Sequence, residues 1–177
     1  AEPFRRRLLR AGTAALIAMP VVWTGARAAA PAALRPTPAQ TEGPFYPVEL
    51  PADGDADLLA NGVRRVRGGV PVTLGGRVVD LDGRPLAGAA VEIWQCDGAG
   101  RYHHPLDRGG IADPDFQGWG RALADADGRY RFRTLRPVAY PGRTPHIHVK
   151  LRLGPRELLT TQLYVEGDPG NERDGLW

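Results

Sequence analysis

The chain has 177 residues, which favours a single domain, and its 23 glycines and 17 prolines argue against long helices. Its net charge of +3 originates at the N-terminus: five arginines and one glutamate precede residue 31, so 18 of the 23 basic and 19 of the 20 acidic residues remain beyond it. Beyond residue 30 the chain is nearly neutral and lacks the cluster of basic residues that is typical of nucleic-acid binding. Because Cys96 is the only cysteine, an intrachain disulfide is excluded.

Residues 1–30 have the pattern of an export signal. A run of arginines at 5–7 precedes an apolar run over 11–23, and small residues follow over 26–30. Paired arginines followed by two leucines are typical of a twin-arginine leader, which carries folded proteins out of the bacterial cytoplasm. We therefore expect a periplasmic or secreted protein. No membrane span should remain after cleavage, because a spanning helix needs ~20 apolar residues. An ordinary secretory leader and an uncleaved anchor are the alternatives.

The remainder of the chain shows the pattern of a β protein. Residues 31–40 indicate an extended linker, and beyond them short strand-like runs alternate with turns such as Asp82-Gly83 and Asp127-Gly128. The predicted strands cover residues 72–79, 90–95, 130–133, 146–153 and 158–165. No stretch has a helical period, so we predict an all-β fold. The expected architecture is a β-sandwich of prealbumin or immunoglobulin-like arrangement with long connecting loops.

The end of the chain bears on the extent of this domain, which we place at residues 41–177. The last residues, Gly175-Leu176-Trp177, follow closely on a polar turn. Because a sandwich usually closes with another strand, we expect the domain to be truncated at its C-terminus.

His146-Ile147-His148 is the sharpest local signal for a metal site. Residues i and i+2 of a strand point to the same face, so the two imidazoles project together while Ile147 faces the other way. Two imidazoles side by side can bind one metal ion. Lys150 and Arg152 continue the same row, however, so a merely polar face is the alternative.

Two histidines do not complete a metal site. The only other histidines are His103 and His104, and most nearby carboxylates sit in Asp-Gly or Asp-Pro turns. A zinc hydrolase built on the H-x-H motif would need a further histidine and an acid, which the pattern does not supply. The remaining ligands are therefore expected to be of a less common type.

A series of short motifs surrounds these residues along the body. They are TEGPFYP at 41–47, VEIWQ at 91–95, GRY at 100–102, DFQGWGR at 115–121, DGRYRF at 127–132, PVAYP at 137–141, RTPHIH at 143–148 and TQLY at 161–164. Together and in this order they resemble the intradiol dioxygenases, the family of protocatechuate 3,4-dioxygenase and catechol 1,2-dioxygenase. One such motif would be weak, but the ordered set covers nearly all of the body.

The resemblance implies a non-haem iron(III) centre held by two tyrosines and two histidines. The ligands it assigns are Tyr102, Tyr140, His146 and His148. A free tyrosine has a pKa of ~10, but a trivalent cation stabilises the phenolate and the proton is lost. Zinc would more often take cysteine, histidine or carboxylate ligands. The remaining tyrosines in the strands, Tyr130 and Tyr164, are expected to be ordinary core or rim aromatics.

The reaction that the resemblance implies is the opening of a catechol ring by O₂ to a muconate-type product, with no external reductant. The substrate displaces Tyr140, which then takes up a substrate proton. Arg143 matches an arginine that stabilises charge on the ring, and Gln162 matches a glutamine beside the substrate. Protocatechuate or a related catechol is the expected substrate, because the chain resembles the smaller protocatechuate-type sequences. Members of the family often pair subunits, so a homo-oligomer is also consistent with the resemblance.

The chain departs from larger family members between the second tyrosine and the first histidine. Only residues 141–145 lie there, and Gly142 stands where those members have an aromatic, so a more open substrate site is expected. His103 and His104 are expected at the surface or beside the site rather than as ligands. The alternative function is a metal-free β-sandwich binding module, which would have no reason to keep the complete ligand set.

Overall fold

A computed structural model describes residues 34–177. The predicted export signal and the start of the linker lie outside the described residues, so both stay predictions. The strands are β1 Ala60–Asn61, β2 Arg64–Arg65, β3 Pro71–Arg77, β4 Ala90–Trp94, β5 Trp119–Leu123, β6 Arg129–Leu135, β7 His146–Leu153 and β8 Arg156–Tyr164. The only helix in this part of the chain is a single 3₁₀ turn at Asn171–Arg173, so the all-β prediction is confirmed. Nothing in residues 34–177 forms a helix with the length and apolarity needed to cross a bilayer.

The strands form antiparallel sheets that pack face to face. A four-stranded sheet has the order β5-β4-β7-β8, β3 pairs with β6, and β1 pairs with β2 in a short hairpin. The core joins Ile93 and Val149 of the large sheet to Phe132 and Leu135 of β6, all of them buried. Apolar side chains from two sheet faces therefore exclude water from one shared layer, as the sandwich prediction requires.

Strand β7 matches the predicted bounds, whereas β5 was predicted only as part of a motif. The sequence of β5 contains Gly120, which weakens the period-2 pattern of a strand. A side chain at Gly120 would collide with the carbonyl of Asp55 and with Leu58, so close backbone approach requires a glycine here. The packing requirement thus hides a strand that sequence periodicity alone does not reveal.

The outer face of β7 is not the solvated polar face that its lysine and arginine suggested. His146 and His148 are each 1% exposed, and Lys150 is 3% exposed. Residues 41–47, which we call the cover segment, lie over this face: Glu42 pairs with Lys150, and Gly43 lies against His148. The sheet is therefore buried on both faces where β7 begins, and its polar outer face becomes an enclosed site.

Candidate metal centre

Strand β7 brings two imidazoles together in the buried interior. The Nε2 atoms of His146 and His148 lie 3.1 Å apart. The Nδ1 atom of His146 lies 2.7 Å from the carbonyl oxygen of Thr144, which can only accept a hydrogen bond. Because Nδ1 therefore carries the proton of a neutral ring, Nε2 presents its lone pair toward His148, as a metal ligand does.

Two tyrosines complete the cluster from separate loops. The hydroxyl oxygen of Tyr140 lies 3.3 Å from Nε2 of His146. The ring centroid of Tyr102 lies 5.4 Å from that of Tyr140 and 6.3 Å from that of His148. Tyr102 is 4% exposed, and its hydroxyl finds no hydrogen-bond partner within the described residues. A buried phenol oxygen without a partner beside two imidazoles fits a metal ligand.

Local turns fix both tyrosines. The backbone N–H of Tyr102 donates to Asp107 at 2.6 Å, after a turn at Gly100 with φ +76°. Tyr140 and Arg143 pair as an isolated antiparallel β-bridge across a tight turn, and the Arg143 N–H donates to the Tyr140 carbonyl at 2.9 Å. Glycine is suited to the positive φ that such turns require, which explains why the tyrosines come from turn-rich segments.

Burial sets the protonation of the cluster. It lowers the pKa of His146 to about 4 and that of His148 to about 2, so both rings are neutral at neutral pH. Burial also raises the pKa of Tyr102 and of Tyr140, so both phenols stay protonated in the absence of a cation. Neutral imidazoles are ready ligands, and a trivalent cation would release the phenol protons. The donor set therefore fits iron(III).

Among the residues that the structure describes, the site lacks the third histidine, cysteine or carboxylate ligand that a zinc hydrolase centre has. Within residues 34–177 no group of three or more histidine, cysteine, aspartate or glutamate side chains is arranged to hold a metal ion. His103 is exposed, and His104 lies 5.8 Å from the ring of Phe45 and accepts a hydrogen bond from the Leu106 N–H. Neither histidine joins the cluster, in agreement with their expected place at its margin.

The metal-free protein should lose stability as the pH falls below 6.5. Both histidines titrate near 6.5 in the unfolded chain, but burial lowers their pKa in the fold. Between these values the unfolded chain binds more protons, so the free energy of unfolding rises with pH and this contribution is complete only above pH 6.5. Urea denaturation of chelator-treated protein between about pH 7.5 and about pH 4.5 measures this slope. Replacing both histidines by glutamine should reduce this dependence of the free energy of unfolding on pH. An unchanged slope would contradict its attribution to His146 and His148.

Arg143 lies beside the cluster and is held on two of its three nitrogens. Its Nε donates to Asp174 at 2.9 Å, and its Nη2 donates to Gln162 and, at 3.3 Å, to the hydroxyl of Tyr164. Asp174 also accepts from the N–H of Thr144 at 2.9 Å. The charge of Arg143 partly offsets the rise that burial causes in the pKa of Tyr140, so the guanidinium acts directly on the cluster.

Two residues of this network were not predicted. Asp174 precedes a glycine, and its turn-like context concealed a carboxylate that is 1% exposed at its side chain. Tyr164 was expected to be an ordinary rim aromatic, yet its ring lies 5.9 Å from that of His146. Its hydroxyl also bonds Gln162 at 3.1 Å. The amide of Gln162 is engaged at both ends, because its Nε2 donates to the Thr41 carbonyl at 3.1 Å.

The turn after Tyr140 borders a cavity that is lined by neither histidine of the cluster nor by Tyr102. This cavity of about 350 Å³ is lined by Tyr140, Gly142, Arg143 and Asp174 among others. A side chain added at Gly142 would meet no atom within 4 Å, so the place that an aromatic would fill is open. This geometry agrees with the expected open substrate site.

Known proteins of similar sequence identify the family of this chain. A family model described as Dioxygenase matches residues 41–174. The chain is 42% identical over 138 residues to the protocatechuate 3,4-dioxygenase beta chain of Burkholderia cepacia, covering 71% of this chain and 58% of that protein. It is 32% identical over 157 residues to catechol 1,2-dioxygenase of Candida albicans, covering 76% of this chain and 49% of that protein. The chain thus spans about half the length of the curated relatives it matches.

A solved structure is also similar over most of its length. It is the dioxygenase domain of a dioxygenase and carbohydrate-binding protein fusion from Streptomyces sp. SirexAA-E. The two chains share 37% identity with a TM-score of 0.65, and the alignment covers 80% of this chain and 82% of that one. Sequence and fold therefore point to the same family.

Proposed function

The chain belongs to the intradiol dioxygenase family, and we propose that it uses non-haem iron(III) and O₂ to open the ring of a catechol between its two hydroxylated carbons. The single observation that carries this proposal is the meeting of two neutral imidazoles and two phenols in one buried cluster, with the Nε2 atoms 3.1 Å apart. The ligands would be Tyr102, Tyr140, His146 and His148. A metal-free binding module does not account for this set.

When bound, iron(III) would hold both catechol oxygens and draw electron density from the ring so that a ring carbon reacts with O₂. Tyr102, His146 and His148 would stay in place, because their side chains are almost fully buried. His146 would be kept in the required tautomer by its hydrogen bond to the Thr144 carbonyl.

Tyr140 is suited to take a substrate proton. It is less buried than Tyr102 and sits in the turn that borders the open cavity, so its oxygen can move away from His146. Burial raises the pKa of this phenol above the usual value, so it stays protonated until a cation binds. The phenolate that the substrate displaces would then be free to accept a proton. The substrate would thus lose a proton to the group that it displaces.

Arg143 would stabilise charge that develops on the ring. Its guanidinium is fixed by Asp174 and Gln162 before substrate arrives, so it does not have to reorganise during the reaction. Its side chain is 16% exposed, and a preorganised cation that is largely shielded from water is worth more than one in solvent. We further propose protocatechuate or a related catechol as substrate, which the 42% identity to a protocatechuate 3,4-dioxygenase beta chain supports.

The visible spectrum and O₂ consumption of the purified aerobic protein test this function. Iron-loaded protein should be coloured by tyrosinate-to-iron charge transfer, and protocatechuate should shift the band. It should then consume one O₂ per substrate without added reductant and release a ring-opened product that has two more carboxylates than the substrate, a tricarboxylate for protocatechuate. Protein loaded with zinc is the control and should be colourless and inactive. Iron-loaded protein that lacks the band and consumes no O₂ with any catechol tested would overturn the proposal in favour of a binding module.

A further inference from the structure

A buried cluster of charged side chains lies on the outer face of the large sheet, next to the histidines. Lys150 is 3% exposed and Glu92 is 4% exposed, although both carry charge. They are register partners on β4 and β7, two residue pairs beyond the pair of Trp94 with His148 and therefore on the same face of the sheet. Burying a charge is costly unless an opposite charge or a hydrogen bond compensates it. The partners of Lys150 and Glu92 therefore show which part of the chain this cluster holds in place.

The cover segment supplies partners for both residues. Lys150 forms an ion pair with Glu42, and its Nζ lies 4.0 Å from the ring centroid of Tyr46. The hydroxyl of Tyr46 donates to Glu92 at 2.8 Å. Burial and this hydrogen bond raise the pKa of Tyr46 to about 12, so the phenol remains a donor. Both ends of residues 42–46 are thus attached to the sheet by side chains.

The residues between these two anchors contact the candidate metal ligands. Gly43 approaches His148 so closely that an added Cβ would lie 3.4 Å from its Cε1 atom. The ring of Phe45 stacks on Tyr102 at 4.5 Å and meets the edge of Tyr140 at 6.2 Å. Three of the four proposed ligands therefore touch the cover segment.

The backbone of the cover segment does little to hold it in place. It forms no strand or helix, and the N–H of Gly43 bonds only to the side chain of Thr41 within the segment. Its start is tied to the sheet by the bond from Gln162 to the Thr41 carbonyl and, just before the segment, by the bond from the Gln40 N–H to the Thr160 carbonyl. Its position over His148 consequently depends on the charged cluster.

We propose that Lys150 and Glu92 are positioning residues that fasten the cover segment over the metal ligands, with the Lys150–Glu42 ion pair as the main anchor. The effect on the ligands rests on the proposed function, whereas the fastening itself does not. When the anchor is lost, Phe45 leaves the face of Tyr102 and the wall of the site opens. Trp94, stacked on His148 at 4.8 Å, stays in place because it belongs to β4.

Hydrogen exchange of the metal-free protein tests the anchor directly. Lys150→Met keeps the apolar stem, and it leaves Glu42 and Glu157 able to meet water because these side chains are 44% and 45% exposed. The hydrogen-bonded amides of residues 40–47 are those of Gln40 and Gly43, whose N–H groups donate to the Thr160 carbonyl at 2.9 Å and to the Thr41 hydroxyl at 3.2 Å. These amides should exchange on the order of tenfold faster than in wild type, while those of β4 and β7 keep their protection. Arg156→Met is the matched control, since Arg156 is exposed and has no ion-pair partner in the described chain.

A double-mutant cycle with Glu42→Gln decides whether the pair itself is responsible. If it is, Glu42→Gln alone should speed exchange, and adding it to Lys150→Met should have little further effect. Glu42→Gln also serves if Lys150→Met fails to fold, because Lys150 keeps Glu157 at 3.6 Å. Unchanged exchange over residues 40–47, or strictly additive effects, would overturn the proposal.

The iron-loaded variants show whether the anchor matters for the site. Lys150→Met should retain iron and its colour but raise KM more than it lowers kcat, because the wall and not the ligand set is lost. If wild-type protein binds no iron, the proposed function fails while the exchange result still decides the anchor. Equal KM in both proteins, together with faster exchange, would separate the anchor from substrate binding and overturn its role in the site.

Discussion

Tyr102→Phe should weaken and shift the tyrosinate-to-iron band, because Tyr140 remains as the second phenolate, and should reduce turnover by more than about 100-fold. The size follows because even groups that only orient metal ligands cost 10–100-fold when removed, and Tyr102 is proposed as a ligand itself. Its ring stays in place without the oxygen, since Phe45 stacks on it at 4.5 Å. The visible spectrum, the iron content and O₂ uptake with protocatechuate measure the effect.

Tyr130→Phe is the matched control for this change. Burial raises the pKa of Tyr130 as it does that of Tyr102, but Tyr130 belongs to β6 and packs against Phe132. The control should keep colour, iron and activity. If Tyr102→Phe kept the wild-type band, or if the control lost it equally, the ligand assignment of Tyr102 would have to be abandoned.

Arg143→Met should lower kcat by about 10²–10³-fold while iron content and colour stay unchanged, the range found when one charge-stabilising donor is removed. The reason is that Arg143 is fixed beside the cluster but is not a ligand. Asp174 keeps its bonds from the N–H groups of Thr144 and Leu176, at 2.9 Å and 3.0 Å, so the loop remains anchored. Steady-state O₂ uptake and the resting spectrum separate catalysis from metal binding.

Arg133→Met controls for the loss of an arginine that forms an ion pair. Arg133 pairs with Asp57 at 2.6 Å, but its side chain is 62% exposed and it lies on β6. This control should change kcat little, because exposed ion pairs contribute ~0–1 kcal/mol to stability. Loss of colour in Arg143→Met would instead assign Arg143 a structural role in the metal site.

Period-2 reasoning predicted strands β3, β4, β6, β7 and β8 and two of the four proposed metal ligands. The alternation over residues 146–153 fixes which side chains share a face, so the convergence of His146 and His148 follows from the backbone alone. Tyr102 and Tyr140 lie on loops far from β7 in sequence, and no local pattern relates a loop to a strand. Only the ordered motifs of a known family predicted those two residues, and their proximity to the histidines agrees with that prediction.

The residues that were missed share a physical reason. Lys150 has the pattern of a surface residue, and its burial depends on Glu42, which is 108 residues away. Asp174 accepts a local hydrogen bond from the Leu176 N–H, as aspartates in turns commonly do. It also binds Arg143, which is 31 residues away in sequence. Ion pairs between residues that are far apart in sequence produce no periodic residue pattern. They can therefore be identified only from the folded structure.

The distance in sequence between the cover segment and its anchors also sets the order in which the site is assembled. The Glu42–Lys150 and Thr41–Gln162 contacts close loops of 108 and 121 residues, and such long loops carry the largest closure entropy. Contacts of this kind form late in folding, after local hairpins such as β7–β8. The histidine face of β7 is therefore expected to exist before its wall does, which leaves a folding stage in which a metal ion can reach the ligands from the side that later becomes closed.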